Sequence, residues 1–271
     1  MNRSPRRLAA LAAFAVGIAL AVGGAASAAT AGHRPATEPK PTIVLVHGAF
    51  ADSSGWADVQ TRLAKDGYPV VAFSNPLRGV EHDGAYLASF LTTIDGPIVL
   101  VGHSYGGAVI TQAGATDPDV KSLVYIAAFA LAAGESVAEA SALNGGSNDL
   151  LSHIDLRPFP GAAEGDADAT IDPAWFPRLF AQDVPRRLAE TMAAMQRPAA
   201  LASLGLPATE AAWETIPSWY MVARDDRIIP PVAERAMAER AGATTVEVAS
   251  SHVPMISHPG AVVRLIESAA R

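Results

Sequence analysis

The chain of 271 residues has no cysteine. Disulfides, thiolate zinc sites and cysteine nucleophiles are therefore excluded. Charge is also sparse, with 17% Asp, Glu, Lys and Arg against 50% hydrophobic residues. Such a composition supplies a large buried core and is not that of a disordered chain. Basic residues are in the minority, 20 against 27 acidic ones. That balance disfavours nucleic acid and anionic membrane as partners and leaves a small-molecule substrate as the expected one. No internal repeat is visible.

Long apolar runs are lacking too, apart from one at the start. Arg3, Arg6 and Arg7 precede an apolar stretch from Leu8 to Val22, and Ala26-Ser27-Ala28 then reads as a cleavage site, with Ala29-Thr30-Ala31 as the alternative. This is the pattern of a secretory signal peptide. The run falls short of the ~20 residues that span a bilayer. The expectation is a signal peptide over residues 1–28, a secreted mature chain and no stable membrane anchor after cleavage. The sequence leaves the Sec and twin-arginine routes open. Without residues 1–28, seventeen basic and 27 acidic residues remain, a formal net charge of −10. An exported chain without disulfides depends on its own packing, and about 240 residues suffice for that.

Residues 29–40, rich in Ala, Pro and Thr, read as a flexible lead-in. Nearly continuous apolar runs then occur at Thr42–Val46, Pro69–Phe73, Ile98–Val101, Ser122–Ala128, Ser218–Val222 and Thr244–Val248. Runs of this kind fit strands covered on both faces. Helical stretches lie between them, roughly 54–66, 82–94, 105–116, 232–241 and 259–270. Alternation of strand and helix implies an α/β fold with a mostly parallel sheet. From about Gly134 to Trp213 no strand is visible. A structureless loop of that length is improbable, so residues 134–213 are expected to form a mostly helical cap. The core is then 41–133 and 214–271.

Ile98–Val101 runs directly into Gly102-His103-Ser104-Tyr105-Gly106-Gly107. Strand, sharp turn and helix in that order make a nucleophile elbow, with Ser104 exposed above the strand ends and beside the positive end of a helix. Such a serine needs a histidine to take its proton and a carboxylate to orient the histidine. The fold's chain order is serine, acid, histidine. Ala223-Arg224-Asp225-Asp226-Arg227-Ile228-Ile229-Pro230 offers two acids. Asp226 is preferred, and Asp225 reads as a turn residue facing solvent. Ser250-Ser251-His252-Val253 offers His252 as the base. Its rival His258 precedes Pro259 at the start of the last helix, where capping or packing is the simpler role. His33, His82 and His153 read as surface residues, His103 as packing beneath the elbow, and His47 as a buried structural histidine. Backbone N–H groups of Ala49, or Phe50 as the neighbouring alternative, and of Tyr105 are candidates for an oxyanion hole.

His47-Gly48-Ala49-Phe50, the Ser104 elbow, Asp226-Arg227-Ile228-Ile229-Pro230 and Ser251-His252 resemble the α/β-hydrolase superfamily across residues 41–271. The resemblance is to its small capped branch, with plant methyl-salicylate-type esterases, hydroxynitrile lyases and bacterial relatives. It implies about six parallel strands, a cap inserted after the fourth strand, and the roles just given. Lyase members carry threonine at the position of Gly48 and lysine after the catalytic histidine. Here those positions hold Gly48 and Val253, so esterase chemistry is favoured. A serine nucleophile also disfavours the dehalogenase and epoxide-hydrolase branches.

In the cap, Trp175, Phe176, Phe180, Met192, Met195 and Trp213 are candidates for an apolar pocket or for plain packing. Of these, Trp175, Phe176 and Trp213, with Phe50, are the expected pocket residues. No cluster of charge marks a charged substrate. The expected function is hydrolysis of uncharged small to medium esters or lactones through an acyl-enzyme on Ser104, with no cofactor or metal, by a monomer or homodimer. A lyase, perhydrolase or acyltransferase using the same residues, or a non-catalytic ligand-binding relative, are the alternatives.

Overall fold

A computed structural model describes residues 39–271. The expected signal peptide, and all of the lead-in before residue 39, lie outside the described residues. β1 (Thr42–Val46) is followed by a 3-10 turn at Ser53–Trp56 and then α1 (Ala57–Lys65). β2 (Val70–Phe73), α2 (Val80–Leu91), β3 (Ile98–Ser104), α3 (Tyr105–Gly114) and β4 (Val120–Ala128) complete the first half.

The segment after β4 carries α4 (Val137–Ser141), β5 (Ile154–Arg157), β6 (Asp168–Ile171), α5 (Phe176–Leu179), α6 (Arg186–Ala194) and β7 (Ala199–Ala200). The core resumes with β8 (Ser218–Ala223), α7 (Pro231–Arg240), β9 (Thr244–Val248), α8 (Pro254–Ser257) and α9 (Pro259–Ala269).

The main sheet is parallel throughout, in the order β2-β1-β3-β4-β8-β9. All six strands expected from the apolar runs are present. β1, β3 and β4 are buried almost end to end, which is why they read as continuous runs rather than alternating ones. Helices cover both faces. Ser122 Oγ donates to the Ala269 carbonyl on α9 at 2.7 Å, whereas Leu123 faces Gly114 on α3. Successive strand residues point to opposite faces, so α9 and α3 lie on opposite sides.

The order of strands reverses between β1 and β3. The chain leaves β1 for β2 on one side and returns to β3 on the other. In open α/β sheets the crevice beyond the carboxyl ends at such a reversal is where ligands bind. Val46 is in register with Gly102 there, so the turns after β1 and β3 meet.

The insertion after β4 differs in one respect from the sequence expectation. Beside its helices it holds a three-stranded antiparallel sheet, β5-β6-β7. These strands have four, four and two residues, and β5 is largely exposed. They have neither the length nor the apolar content that made the core strands legible. Arg78, before α2, pairs with Asp168 on β6 at 2.6 Å, and Arg240 pairs with Glu135, so ions tie the insertion to the core at two places.

Candidate active site

Ser104 ends β3 with φ 54° and ψ −127°, outside the regions that a residue with a Cβ adopts freely. Holding it there costs on the order of 1–3 kcal/mol, supplied by surrounding packing. The packing is visible at the flanking glycines. A Cβ on Gly102 would lie 2.6 Å from the Gly106 carbonyl oxygen, and one on Gly106 would lie 2.5 Å from that of Val46. Only glycine lets the elbow close onto β1. The result is a largely buried serine, 4% exposed, at the N-terminus of α3. Tyr105 opens α3, so its N–H belongs to the first turn and has no partner within the helix.

The turn after β1 touches the serine itself. A Cβ on Gly48 would come within 2.5 Å of Ser104 Cβ and 2.9 Å of the His103 carbonyl. His47 is 1% exposed and anchors this turn. Its Nε2 accepts the Asn75 N–H at 3.0 Å, and Asn75 Nδ2 donates to the His47 carbonyl at 3.2 Å. The Nδ1 contact to the Gly48 carbonyl at 2.9 Å is then a donated one. Burial lowers the pKa of this ring, consistent with a neutral structural histidine. Ala49 and Phe50 follow, both buried.

His252 comes from the loop after β9 and has no solvent exposure. Its Nδ1 lies 2.5 Å from Asp226 Oδ2. The carboxylate can only accept, so Nδ1 donates, and in the neutral imidazole Nε2 is then the acceptor. Of the two candidate acids, Asp226 therefore faces the histidine. Asp225 is exposed and engages only its backbone, its N–H donating to the Ser250 carbonyl. Asp226 Oδ1 accepts the N–H groups of Ile228 and Ile229 at 2.6 and 3.0 Å, which fixes the carboxylate plane.

Ser104 and His252 are joined through His103. His103 Nε2 donates to the His252 carbonyl at 2.7 Å, and the two rings lie 4.7 Å apart. Burial, with His252 second, holds the His103 pKa well below its ordinary value. It is a neutral support under the catalytic candidate, as expected for a residue packing beneath the elbow. His252 Nε2 is buried with no hydrogen-bond partner among the described residues. It thus makes no bond to Ser104 Oγ in this conformation. Hydrogen bonds of this type are often long until substrate binds.

His33 lies outside the described residues, and the other three histidines lie away from the Asp226–His252 pair. His258 Nδ1 meets Ser257 Oγ at 2.9 Å at the start of α9. His82 is on the surface beside Asp83. His153 is half-buried rather than exposed, stacked on Trp175 at 3.7 Å.

Two cavities flank the site. One, of about 260 Å³, reaches Ser104 and is lined by Ala49, Phe50, Tyr105, Phe129, Leu150 and Ile228 among others. No charged side chain lines it among the described residues. The other, of about 230 Å³, shares Phe50 with the first and is lined by Phe176, Phe180, Met192, Met195, Val253 and Met255 among others. Two of the expected pocket residues are in neither. Trp175 is held between His153 and the Arg178 guanidinium. Trp213 donates its indole N–H to the Leu131 carbonyl at 2.7 Å and packs the insertion onto the core. An indole with a backbone partner is anchored by it.

Four residues with a place around the site went unread in the sequence. Asn75, before Pro76, bonds both the ring and the carbonyl of His47. Asp83 lies in the first turn of α2, and its carboxylate accepts the Tyr105 hydroxyl at 2.9 Å and the Arg78 N–H at 3.0 Å. Asp183 belongs to the insertion, and its carboxylate receives the Ser251 N–H at 2.9 Å and the Ser251 hydroxyl. Glu234 is fully buried on α7. It shares a face with Met237 and Ala238 at helical spacing, so an acid in an apolar stripe was a signal available for it.

The sequence matches the alpha/beta hydrolase family over residues 43–265. The chain belongs to this family. It is 29% identical to an alpha/beta hydrolase of Aspergillus novofumigatus over 257 residues, 85% of this chain and 97% of that one. It is 26% identical to Methylesterase 17 of Arabidopsis thaliana, over 88% of this chain and 94% of the relative. Among solved structures, a pyrethroid hydrolase from Sphingobium faniae JZ-2 superposes with a TM-score of 0.70 at 26% identity, covering 85% of this α/β-hydrolase and 97% of the other chain. The resemblance to plant methylesterases expected from the motifs is borne out.

Proposed function

We propose that this α/β-hydrolase is a carboxylesterase-like enzyme that cleaves uncharged esters or lactones of small to medium size through an acyl-enzyme on Ser104. Ester-bond hydrolysis accords with its family and with relatives named as methylesterase and pyrethroid hydrolase. The observation that carries the reading is the Asp226–His252 pair, which leaves Nε2 without a partner on a ring packed against His103 of the elbow.

In this mechanism Ser104 Oγ attacks the ester carbonyl as His252 Nε2 takes its proton. Asp226 keeps the proton on Nδ1 and stabilises the imidazolium. The N–H groups of Ala49 and Tyr105 receive the oxyanion. One such donor typically contributes about 3–4 kcal/mol of transition-state stabilisation. Collapse of the tetrahedral intermediate breaks the bond to the alcohol oxygen, which takes the proton from His252 and leaves. Water then attacks the acyl-enzyme, with His252 again as base, and frees the acid and Ser104.

The uncharged lining of the Ser104 cavity supports an uncharged acyl group. The lack of room at Gly48 bears on the choice between esterase and lyase, since the threonine of lyase relatives would collide with Ser104 on this backbone. Export by a cleaved signal peptide over residues 1–28 remains part of the proposal, supported by the basic, apolar and small-residue order of that segment.

The test is turnover of a p-nitrophenyl ester by Ser104→Ala. Loss of turnover, with loss of labelling by a fluorophosphonate, is expected. Unchanged turnover would sink the assignment.

A further inference from the structure

The second cavity has no part in the scheme above, because it does not touch Ser104. Its position relative to the histidine gives it one. Phe180, in its wall, lies edge-on against the His252 ring, with centroids 4.8 Å apart and planes at 76°. Val253, also in the wall, is the residue after His252. The first cavity, by contrast, holds Ser104, Ala49 and Tyr105. The nucleophile and oxyanion donors thus open onto one space, and the histidine side of the site abuts the other.

Ester hydrolysis distinguishes those two sides. The acyl group stays bonded to Ser104 Oγ after the alcohol has gone. The alcohol oxygen must lie at His252 Nε2 to receive its proton, so the alcohol's carbon chain starts on the histidine side. We infer that the cavity between the Ser53–Trp56 turn and α6 is the alcohol subsite, taking an apolar branched-alkyl or aryl alcohol. This rests on the esterase reading and extends it to the substrate.

The lining sets the class. Phe50, Phe176, Phe180, Met192 and Met255 give an aromatic and thioether surface that adapts to irregular apolar groups. The charged side chains lining the cavity are the carboxylates Asp52 and Asp58, which disfavour an anionic alcohol. A dry apolar cavity of about 150 Å³ suffices for a benzene ring, so about 230 Å³ holds an aryl group with a short linker. At the α6 side, Leu188 and Met195 are 41% and 53% exposed, apolar surface that a bulky alcohol covers.

Phe50 is the shared wall. It is 3% exposed and has φ 61°, so its ring direction is fixed by a constrained backbone and by burial. It separates acyl from alcohol space and thereby limits how wide an alcohol can be at its first carbons.

Gly55 lines this cavity and permits a direct test. A Cβ there meets only Met255 Cε at 3.8 Å and Ile256 Cδ1 at 3.9 Å, and its φ is ordinary. Gly55→Leu therefore fills the cavity without a backbone clash. Thr191→Trp, from an exposed position on α6, fills it from the opposite wall. Two ester series separate the subsites: methyl, butyl and benzyl acetate vary the alcohol, and methyl acetate, butyrate and phenylacetate vary the acyl group.

The expected result is at least a tenfold fall, in both variants, of the kcat/KM ratio of benzyl to methyl acetate. The phenylacetate to acetate ratio should stay within about twofold. Because all acetates share one acyl-enzyme, the fall should appear in acylation and not in the deacylation rate. An equal loss in both series, or a loss confined to the acyl series, overturns the assignment. The esterase reading survives that outcome if Ser104→Ala is inactive in the same assays, and it fails separately if Ser104→Ala remains active.

Discussion

Glu234 Oε2 accepts the backbone N–H of Ala223 at 3.0 Å from a side chain with no exposure to solvent. Ala223 in turn accepts the N–H of Asp226 at 3.2 Å. A buried carboxyl on α7 therefore holds the turn that presents Asp226, the acid of the proposed triad. Its Oε1 has no partner among the described residues. Burial, and then the charge of Asp226, pushes the Glu234 pKa well above the ordinary 4.5. Tyr220 and Arg235 are the other ionisable groups beside it. The folded protein keeps this proton where the unfolded chain releases it. The folded state then binds more protons, so stability falls as pH rises from about 4.5 towards the folded pKa. Glu234→Gln keeps an acceptor for Ala223 and should remove that slope. Glu234→Leu strands the Ala223 N–H and should cost about 1–3 kcal/mol. Thermal unfolding from pH 4.5 to 8 reads both effects. Parallel curves for the wild type and Glu234→Gln would contradict a neutral Glu234.

Gly48→Ala places a methyl group 2.5 Å from Ser104 Cβ and 2.9 Å from the His103 carbonyl. Neither neighbour can yield without moving the elbow, because Gly106 is already against the Val46 carbonyl. A displacement of about 1 Å at a reacting atom costs on the order of 100-fold in rate. The variant should fold, by circular dichroism, and lose about that factor in kcat/KM with small esters. Retained activity would mean that the turn after β1 has freedom the packing does not suggest.

The core was legible because both chain physics and chemistry wrote it into local sequence. Strands buried on two faces read as apolar runs, and the elbow must combine Gly102, Ser104 and Gly106 within five residues. Asp226 and His252 were found because they follow such strands. What escaped depends on contacts distant in sequence. Trp175 and Trp213 have the composition of pocket residues, but their partners, His153 and the Leu131 carbonyl, decide their place. The short strands β5 to β7 exist through pairing with one another, and nothing in four residues such as Ile154–Arg157 announces it. Asp183 reaches Ser251 across 68 residues, which no spacing rule foresees.

Tyr105 carries two functions on separate groups. Its N–H is the oxyanion donor in the proposed mechanism, while its hydroxyl donates to Asp83 Oδ2 at 2.9 Å. Burial, and then Asp83, raises the hydroxyl pKa well above 10, so it stays a donor at all working pH values. Tyr105→Phe removes a hydrogen bond to a buried carboxylate and should destabilise the fold by about 1.5–3 kcal/mol. The N–H is untouched, so kcat/KM at 25 °C should stay within about tenfold. Urea unfolding and ester kinetics on the same preparation separate the two. A loss above a hundredfold in rate would show that the hydroxyl, through Asp83, also sets the position of the donor.

Asp183 links the insertion to the loop that carries His252. Its carboxylate accepts the N–H and hydroxyl of Ser251, the residue before the histidine. Burial raises its pKa, but bonds from Ser251, Ser257 and Ser250 outweigh this and leave it below the ordinary 3.8. A depressed carboxyl contributes stability above its unfolded pKa and loses it as pH falls through the folded one. The side chain is only partly buried, so screening keeps that share small. Its larger effect should be on the position of His252. Asp183→Ala is expected to change Tm little at pH 7 yet lower kcat several-fold, with methyl and benzyl esters affected alike because the histidine serves both. The stability difference from wild type should shrink as pH falls below about 3.8 and vanish once acid has protonated the depressed carboxyl. An unchanged kcat at pH 7 would show that α8, His103 and the Asp226 bond hold His252 in place without Asp183.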